Sequence, residues 1–370
     1  MHKFYTASYD ASVYLQQPTK NTGRDEIIEV GKFYYNGTIY DIGRTLIKFD
    51  INSISSSIAS GEISGSWKAY LNLKAAHSEG IPLEYTIYGN AVSQSWAMGQ
   101  FTKFDTGSVS TQLSASVQQG VSWRYRDGVS LWQANTIGGT AVFAPGTTGS
   151  ANAEGGTWYT GSQASQSYSY NVDDVHMDVT GIFNFWLSGS IQNNGIILRH
   201  ALNVEQDSLD YGILKFFSKE SNTIYEPKLE IVWDDSIINT GSLSPVTGYA
   251  EDNYKVVLTN LKSKYQSNTK VMIRVKGRDK YPLKSFSTVF EYDQSKYLPT
   301  TTYYQLEDYI TGEIIIPFDS YSKVSCDSTS NYFILDLSSL PILRTYKIKL
   351  KIVDNNTTTI IDDKLIFEII

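Results

Sequence analysis

Carboxylates and aromatic rings are the residues of this sequence with the most chemistry to offer, and both gather in one stretch. Asp173, Asp174 and Asp178 lie close together, with Glu154 upstream. Two carboxyls held roughly 5 to 10 Å apart are what glycoside hydrolysis requires. Adjacency in sequence does not set that separation, and the plainer account is a solvated loop entering a helix N-terminus, where Asp complements the dipole. The chain is therefore read as not an enzyme. The same oxygens, Asp173, Asp174 and Asp178, together with Asp10 and Asp50, are the candidates for a Ca²⁺ site of the kind β-sandwiches build from carboxylates and carbonyls. They come without an EF-hand-like loop, and no cofactor other than Ca²⁺ is expected.

The rings are Trp123, Tyr125, Trp132, Trp158, Tyr159, Tyr168 and Tyr170, within or beside residues 128–172, where Glu154 is the one charged side chain. Flat apolar faces with hydrogen-bonding neighbours suit carbohydrate. Trp and Tyr equally anchor subunit contacts or fill a core, and that use is placed ahead of sugar.

Other chemistries are excluded by count and spacing. His2, His77, His176 and His200 are too dispersed for a zinc set, and the single Cys326 has no intrachain partner and reads as a reduced structural thiol. Neither a Gly-x-Ser-x-Gly elbow nor a phosphate loop occurs. With 31 Lys and Arg against 38 Asp and Glu, the formal charge is -7, so there is no cationic field for nucleic acid. No apolar run approaches about eighteen residues, and the start lacks the basic-then-apolar order of an export signal. Neither export nor membrane insertion is expected.

The elements that must position these residues are strands. The sequence carries 27 Tyr and 27 Gly against 9 Pro, and strict alternation runs through 67–73 and 83–89, then 254–258, 269–275 and 345–352. One short helix is expected over 178–187, capped by Asp178 or Thr180. Residues 128–172 are too long and too polar for one strand and read as an insertion of loops and short strands. All seven Trp lie at or before Trp233, and the net charge is -8 through residue 245 and +1 beyond it. The polar segment 234–245, ending in Pro245, reads as a linker. The expected organisation is all-β: a sandwich over 1–235, a linker over 236–247, and a smaller immunoglobulin-like sandwich over 248–370.

Particular residues add a resemblance. Tyr9-Asp10-Ala11-Ser12-Val13-Tyr14, Asn21-Thr22-Gly23, Ile28-Glu29-Val30-Gly31 and Arg44-Thr45-Leu46-Ile47-Lys48-Phe49-Asp50 follow in the order of the D-x-Y, N-x-G, L-x-V-G and R-x-L-L-x-F-D segments of the DNRLRE-type β-sandwich domain. Trp186-Leu187-Ser188-Gly189, Asn193-Asn194-Gly195 and Lys215-Phe216-Phe217-Ser218 continue it, so the chain resembles that family over about residues 7–233. The resemblance implies a jelly-roll-like module, found in secreted polysaccharide-active proteins and in tailed-phage virion proteins, with no single activity attached.

The reading that follows is a virion structural protein of a large tailed bacteriophage, assembled in the host cytoplasm: a neck, tail, fibre-attachment or capsid-surface component. Its expected partners are other virion proteins and copies of itself. The alternative is a carbohydrate-binding or adhesion module contacting host or extracellular polysaccharide.

Overall fold

The computed structural model describes residues 1–35, 39–81, 84–105, 120–133, 142–143, 152–169, 174–246, 254–281, 294–354 and 357–370. Of these, 9% are helical and 48% are in strands, so the protein is all-β with several sheets. It divides into two compact units. The larger comprises Tyr5–Ser60 and Lys68–Glu230; the smaller comprises Met1–Phe4, Gly61–Trp67 and Ile231–Ile370.

The larger unit is organised on a nine-stranded sheet. Its spatial order is Ala75–Glu79, Gly212–Phe217, Ile27–Tyr35, Ile39–Lys48, Ile196–Arg199, Glu84–Val92, Trp158–Ser169 and Val142–Phe143, and Tyr9–Tyr14 also pairs with Ile39–Lys48. Ile39–Lys48 is the hub. Its first half pairs with Ile27–Tyr35 and its second half with Tyr9–Tyr14 and Ile196–Arg199. Arg44, Thr45, Leu46 and Ile47 are consecutively buried, which requires cover on both faces of the sheet. On the face of Leu46 that cover is a cluster of Ala11, Val13, Trp96, Trp123, Trp132, Trp158 and Ile197.

A second sheet pairs Val175–Asp178 antiparallel with Trp67–Leu73, with Lys228–Trp233 on the far side. Alternation set this geometry: Ala69, Leu71 and Leu73 are buried with Val175 and Met177, while Lys68, Tyr70, Asn72, His176 and Asp178 take the other face. The expected helix is present as Thr180–Leu187. Its N-cap is Val179, without a side-chain cap, and the Asp178 carboxylate instead accepts the Thr180 N–H at 3.0 Å.

In the smaller unit a four-stranded sheet runs Tyr254–Leu258, Lys270–Asp279, Asn331–Asp336, Ser325–Cys326. A five-stranded one runs Lys264–Tyr265, Thr357–Ile369, Thr345–Asp354, Thr302–Asp308, Ile314–Ile316. Val256, Ile273, Val275, Phe333 and Leu335 from the first share one apolar core with Tyr304, Leu306, Ile348, Leu350 and Phe367 from the second. The Tyr304 and Phe333 rings stack at 4.4 Å and join the two layers.

Candidate functional site

The aromatic candidates converge on Arg44. On Ile39–Lys48 this arginine shares a face with Ile42 and Leu46, and the guanidinium is buried. Its Nε and Nη2 donate to the two carboxylate oxygens of Glu205 at 3.0 and 2.6 Å, and Nη1 donates to the Gly155 carbonyl at 2.7 Å. Its central carbon lies 4.6 Å from the Trp123 ring and 5.4 Å from Trp158. Arg199 lies 4.4 Å from the same Trp158 ring and 5.8 Å from Tyr88. Rings and cations thus alternate by contact: Trp123, Arg44, Trp158, Arg199, Tyr88.

This ladder is a fastening. Each cation–ring contact is worth about 0.5–2 kcal/mol, and the forked Arg44–Glu205 pair supplies direction. Arg199 donates to the His200 carbonyl at 2.8 Å and the Asn90 side-chain oxygen at 3.0 Å. Burial pulls its guanidinium down to about 10, against the opposing pull of Glu205. Burial likewise holds His200 below the ordinary imidazole value, so it is neutral at pH 7. Gly155 has φ +77°, and a Cβ there would come within 2.4 Å of Arg44 Nη1 and 2.7 Å of Trp123, so glycine alone fits.

Trp123, Trp132, Trp158, Tyr159 and Tyr168 are all buried, the three tryptophans with 4% of their surface exposed or less. Trp132 donates from Nε1 to the Ser122 carbonyl at 3.1 Å, and Tyr168 stacks on Tyr85 at 4.8 Å. Tyr125 is half-buried in a bridge with Leu131. Tyr170, with 134–141 and 144–151 of the expected insertion, lies outside the described residues.

The carboxylates are dispersed. Asp174 accepts from Lys74 Nζ and the Ala75 N–H, both at 2.8 Å. Asp178 Oδ2 lies 3.8 Å from Lys68 Nζ, Glu154 accepts from Arg124 at 3.3 Å, and Asp50 accepts the Asn52 N–H. Asp10 is buried and accepts the Lys219 N–H at 2.6 Å; burial pushes its carboxyl up to about 7. Asp173 is outside the described residues. Among those residues, no three His, Cys, Asp or Glu are grouped to hold a metal ion.

One arrangement was not foreseen. His176 Nδ1 lies 2.6 Å from Asn72 Oδ1, and Asn72 Nδ2 donates to Glu230 at 2.8 Å. Because the Asn72 nitrogen is engaged by a carboxylate, its oxygen faces the imidazole and accepts from Nδ1–H. The exposed imidazole stacks on Tyr70 at 4.4 Å. In sequence His176 looked solitary; its partners are cross-strand neighbours that only the sheet register brings together.

No family model matches the chain, and no curated protein matches it. Among solved structures, a DUF4785 family protein from Legionella pneumophila is similar at 8% identity and a TM-score of 0.20, over 100% of this chain and 65% of that one. The native conformation of E. coli alpha-2-macroglobulin is similar at 7% identity and 0.22, over 98% and 24%. The chain therefore spans just under two thirds of the first structure and about a quarter of the second. Neither likeness is strong enough to bear on fold or function.

Proposed function

We propose that this chain is a non-enzymatic structural subunit of a tailed-phage particle, acting through protein interfaces at the neck, tail, fibre-attachment point or capsid surface. The observation that carries this reading is the use made of the chemistry-bearing residues around the insertion. Arg44, Arg199, Glu205, Trp123 and Trp158 engage one another inside the larger unit. They tie Ile39–Lys48 to the Gly155 carbonyl and to Glu205, in a chain whose 106–119 and 134–151 stretches carry no charge at all. Charged groups satisfied inside the fold, in a sequence rich in uncharged polar residues, suit subunit contacts. The DNRLRE-type resemblance supports the same reading. In it the larger unit is a jelly-roll-like sandwich and the smaller one is immunoglobulin-like.

The test is mass spectrometry of purified particles from the source. The polypeptide is expected among the virion proteins in stoichiometric amount, and its absence there refutes the assignment.

A carbohydrate-binding role is favoured by a different observation, the stack of the exposed His176 ring on half-buried Tyr70 beside the Asn72 amide. The buried tryptophans offer no free ring face to a sugar. A glycan array probed with the chain and with His176→Ala separates the two readings: signal lost in the variant supports the glycan role, and a blank array removes it.

A further inference from the structure

One end of the smaller unit is apolar where solvent should make it polar. The turn after Thr302–Asp308 exposes Tyr309 and Ile310, the loop before Thr345–Asp354 exposes Ile342 and Leu343, and Ile370 lies beside them; Ile310 is 70% and Leu343 73% exposed. Backbone bonds hold these pieces together: Tyr309 N–H to Thr345 O at 2.9 Å, Leu343 N–H to Ile369 O at 2.8 Å, and Ile369 N–H to Arg344 O at 3.1 Å. The Arg344 guanidinium locks the loop to the turn through Asp308, at 2.8 Å from Nε and 2.6 Å from Nη2. Leu343 also has φ +57°, a left-handed conformation that strains a leucine and that Asn or Gly would relieve. The site keeps both the strain and the exposed apolar side chain.

We infer that this end is a self-association surface, and that its occupant is the same end of a second copy of the chain. The five side chains expose roughly 500 Å², the size at which an apolar patch on a monomer marks an interaction site. Two copies meeting through it bury roughly 1,000 Å², the lower bound of a specific interface, so the contact is weak alone and effective where many copies are held close. Arg344 faces Asp308, Lys347 faces Asp362 at 2.7 Å, and Lys264 faces Glu368 at 2.9 Å. These three cations are each matched by a carboxylate, which favours the matching end of a second copy over an anionic bilayer. The inference rests on the assembly reading above and gives it a surface.

The experiment is sedimentation velocity on the full chain between about 1 and 100 μM, the range in which a small interface responds to concentration. The mean mass is expected to rise toward that of a dimer. Combining Ile310→Ser, Ile342→Ser and Leu343→Asn is expected to weaken association at least tenfold. Leu343→Asn alone, which suits the left-handed backbone, is expected to weaken it measurably with the melting temperature unchanged or raised. A wild-type chain that stays monomeric throughout, or a triple variant that associates as the wild type does, overturns the proposal. So does flotation of wild type but not variant with phosphatidylcholine vesicles, which would give the patch to lipid. These outcomes concern the patch alone, whereas the virion role is refuted separately by absence from particles.

Discussion

The two units solve the same problem, holding β-sheets together, with different materials. The larger buries Lys32, Arg44, Arg199, Glu29 and Glu205. Its fasteners join residues far apart in sequence: Arg44 to Glu205, Lys32 to the Val204 and Asp207 carbonyls at 2.7 and 2.6 Å, and Asn21 to the Val121 carbonyl at 2.8 Å. The smaller relies on an apolar core. Its buried carboxylates each close a local turn, Asp308 accepting the Ile310 and Thr311 N–H groups and Asp336 that of Ser338, while Asp308 also takes Arg344 and Asp336 lies 3.5 Å from Lys3. The contrast follows from the connections. Short turns close on themselves with one Asx-type bond, whereas segments far apart in sequence are ordered against one another at an entropic cost that directional contacts offset.

The sharpest way to break this contrast is to remove one fastener. Arg44→Met strands the Glu205 carboxylate in the interior and is expected to cost about 3–5 kcal/mol. Hydrogen exchange should report the loss as faster uptake in Ile39–Lys48 and Ile196–Arg199, with Thr302–Asp308 unaffected. Pairing Arg44→Met with Glu205→Leu is expected to recover most of that loss, because it is the unpaired charge that costs. In the smaller unit Phe367→Ala is expected to cost about 3–5 kcal/mol through the cavity alone, with the exchange pattern reversed. If the two patterns coincide, the units are not independent in stability.

A smaller effect tests the ladder's geometry. Gly155→Ala forces a Cβ against Arg44 and Trp123 at positive φ and is expected to cost about 1–3 kcal/mol. It should be read as a lower melting temperature and a change in tryptophan emission. The smallest is a tilt with pH. Burial pushes Asp10 up to about 7 and Asp25 up to about 6. Between about pH 4 and 7 the folded larger unit therefore holds protons that the unfolded chain has released, and its stability falls as pH rises through that window. Asp10→Asn is expected to flatten the slope in melting curves from pH 5 to 8. In the smaller unit the Arg274 hydrogen bond holds Asp327 well below the ordinary carboxylate range. That contribution is intact above about pH 4 and lost only as the solution becomes more acidic, so Asp10 and Asp327 lean in opposite directions.

Strands were legible wherever alternation was strict. Trp67–Leu73 and Tyr254–Leu258 fall where the sequence pattern put them, and Thr345–Asp354 runs two residues further. The helix was visible in its apolar run, but its cap was not, because Asp178 serves a neighbouring N–H without closing the first turn. The ladder was half visible. Its tryptophans stood out by composition, whereas their partners did not. A signal was available: Arg44 follows Ile42 and precedes Leu46 at period two, and Lys32 follows Ile28 and Val30, so each cation sits on an apolar face. Glu205 carries no such mark, since which carboxylate meets Arg44 depends on a pairing across 161 residues. His176 was missed for the same reason: Asn72 and Glu230 become its neighbours only once the strands are in register.

The sulfur of Cys326 gives the protein a built-in clock. It is buried in Ser325–Cys326, and burial raises its thiol to about 11, so almost no thiolate exists at neutral pH. The folded chain should therefore ignore maleimides, and the rate at which it slowly takes up label in the absence of denaturant counts how often the smaller unit opens. A cysteine introduced on the surface would then be the one fast-reacting thiol in the molecule, a single attachment point for a dye or a crosslinker with no background to subtract.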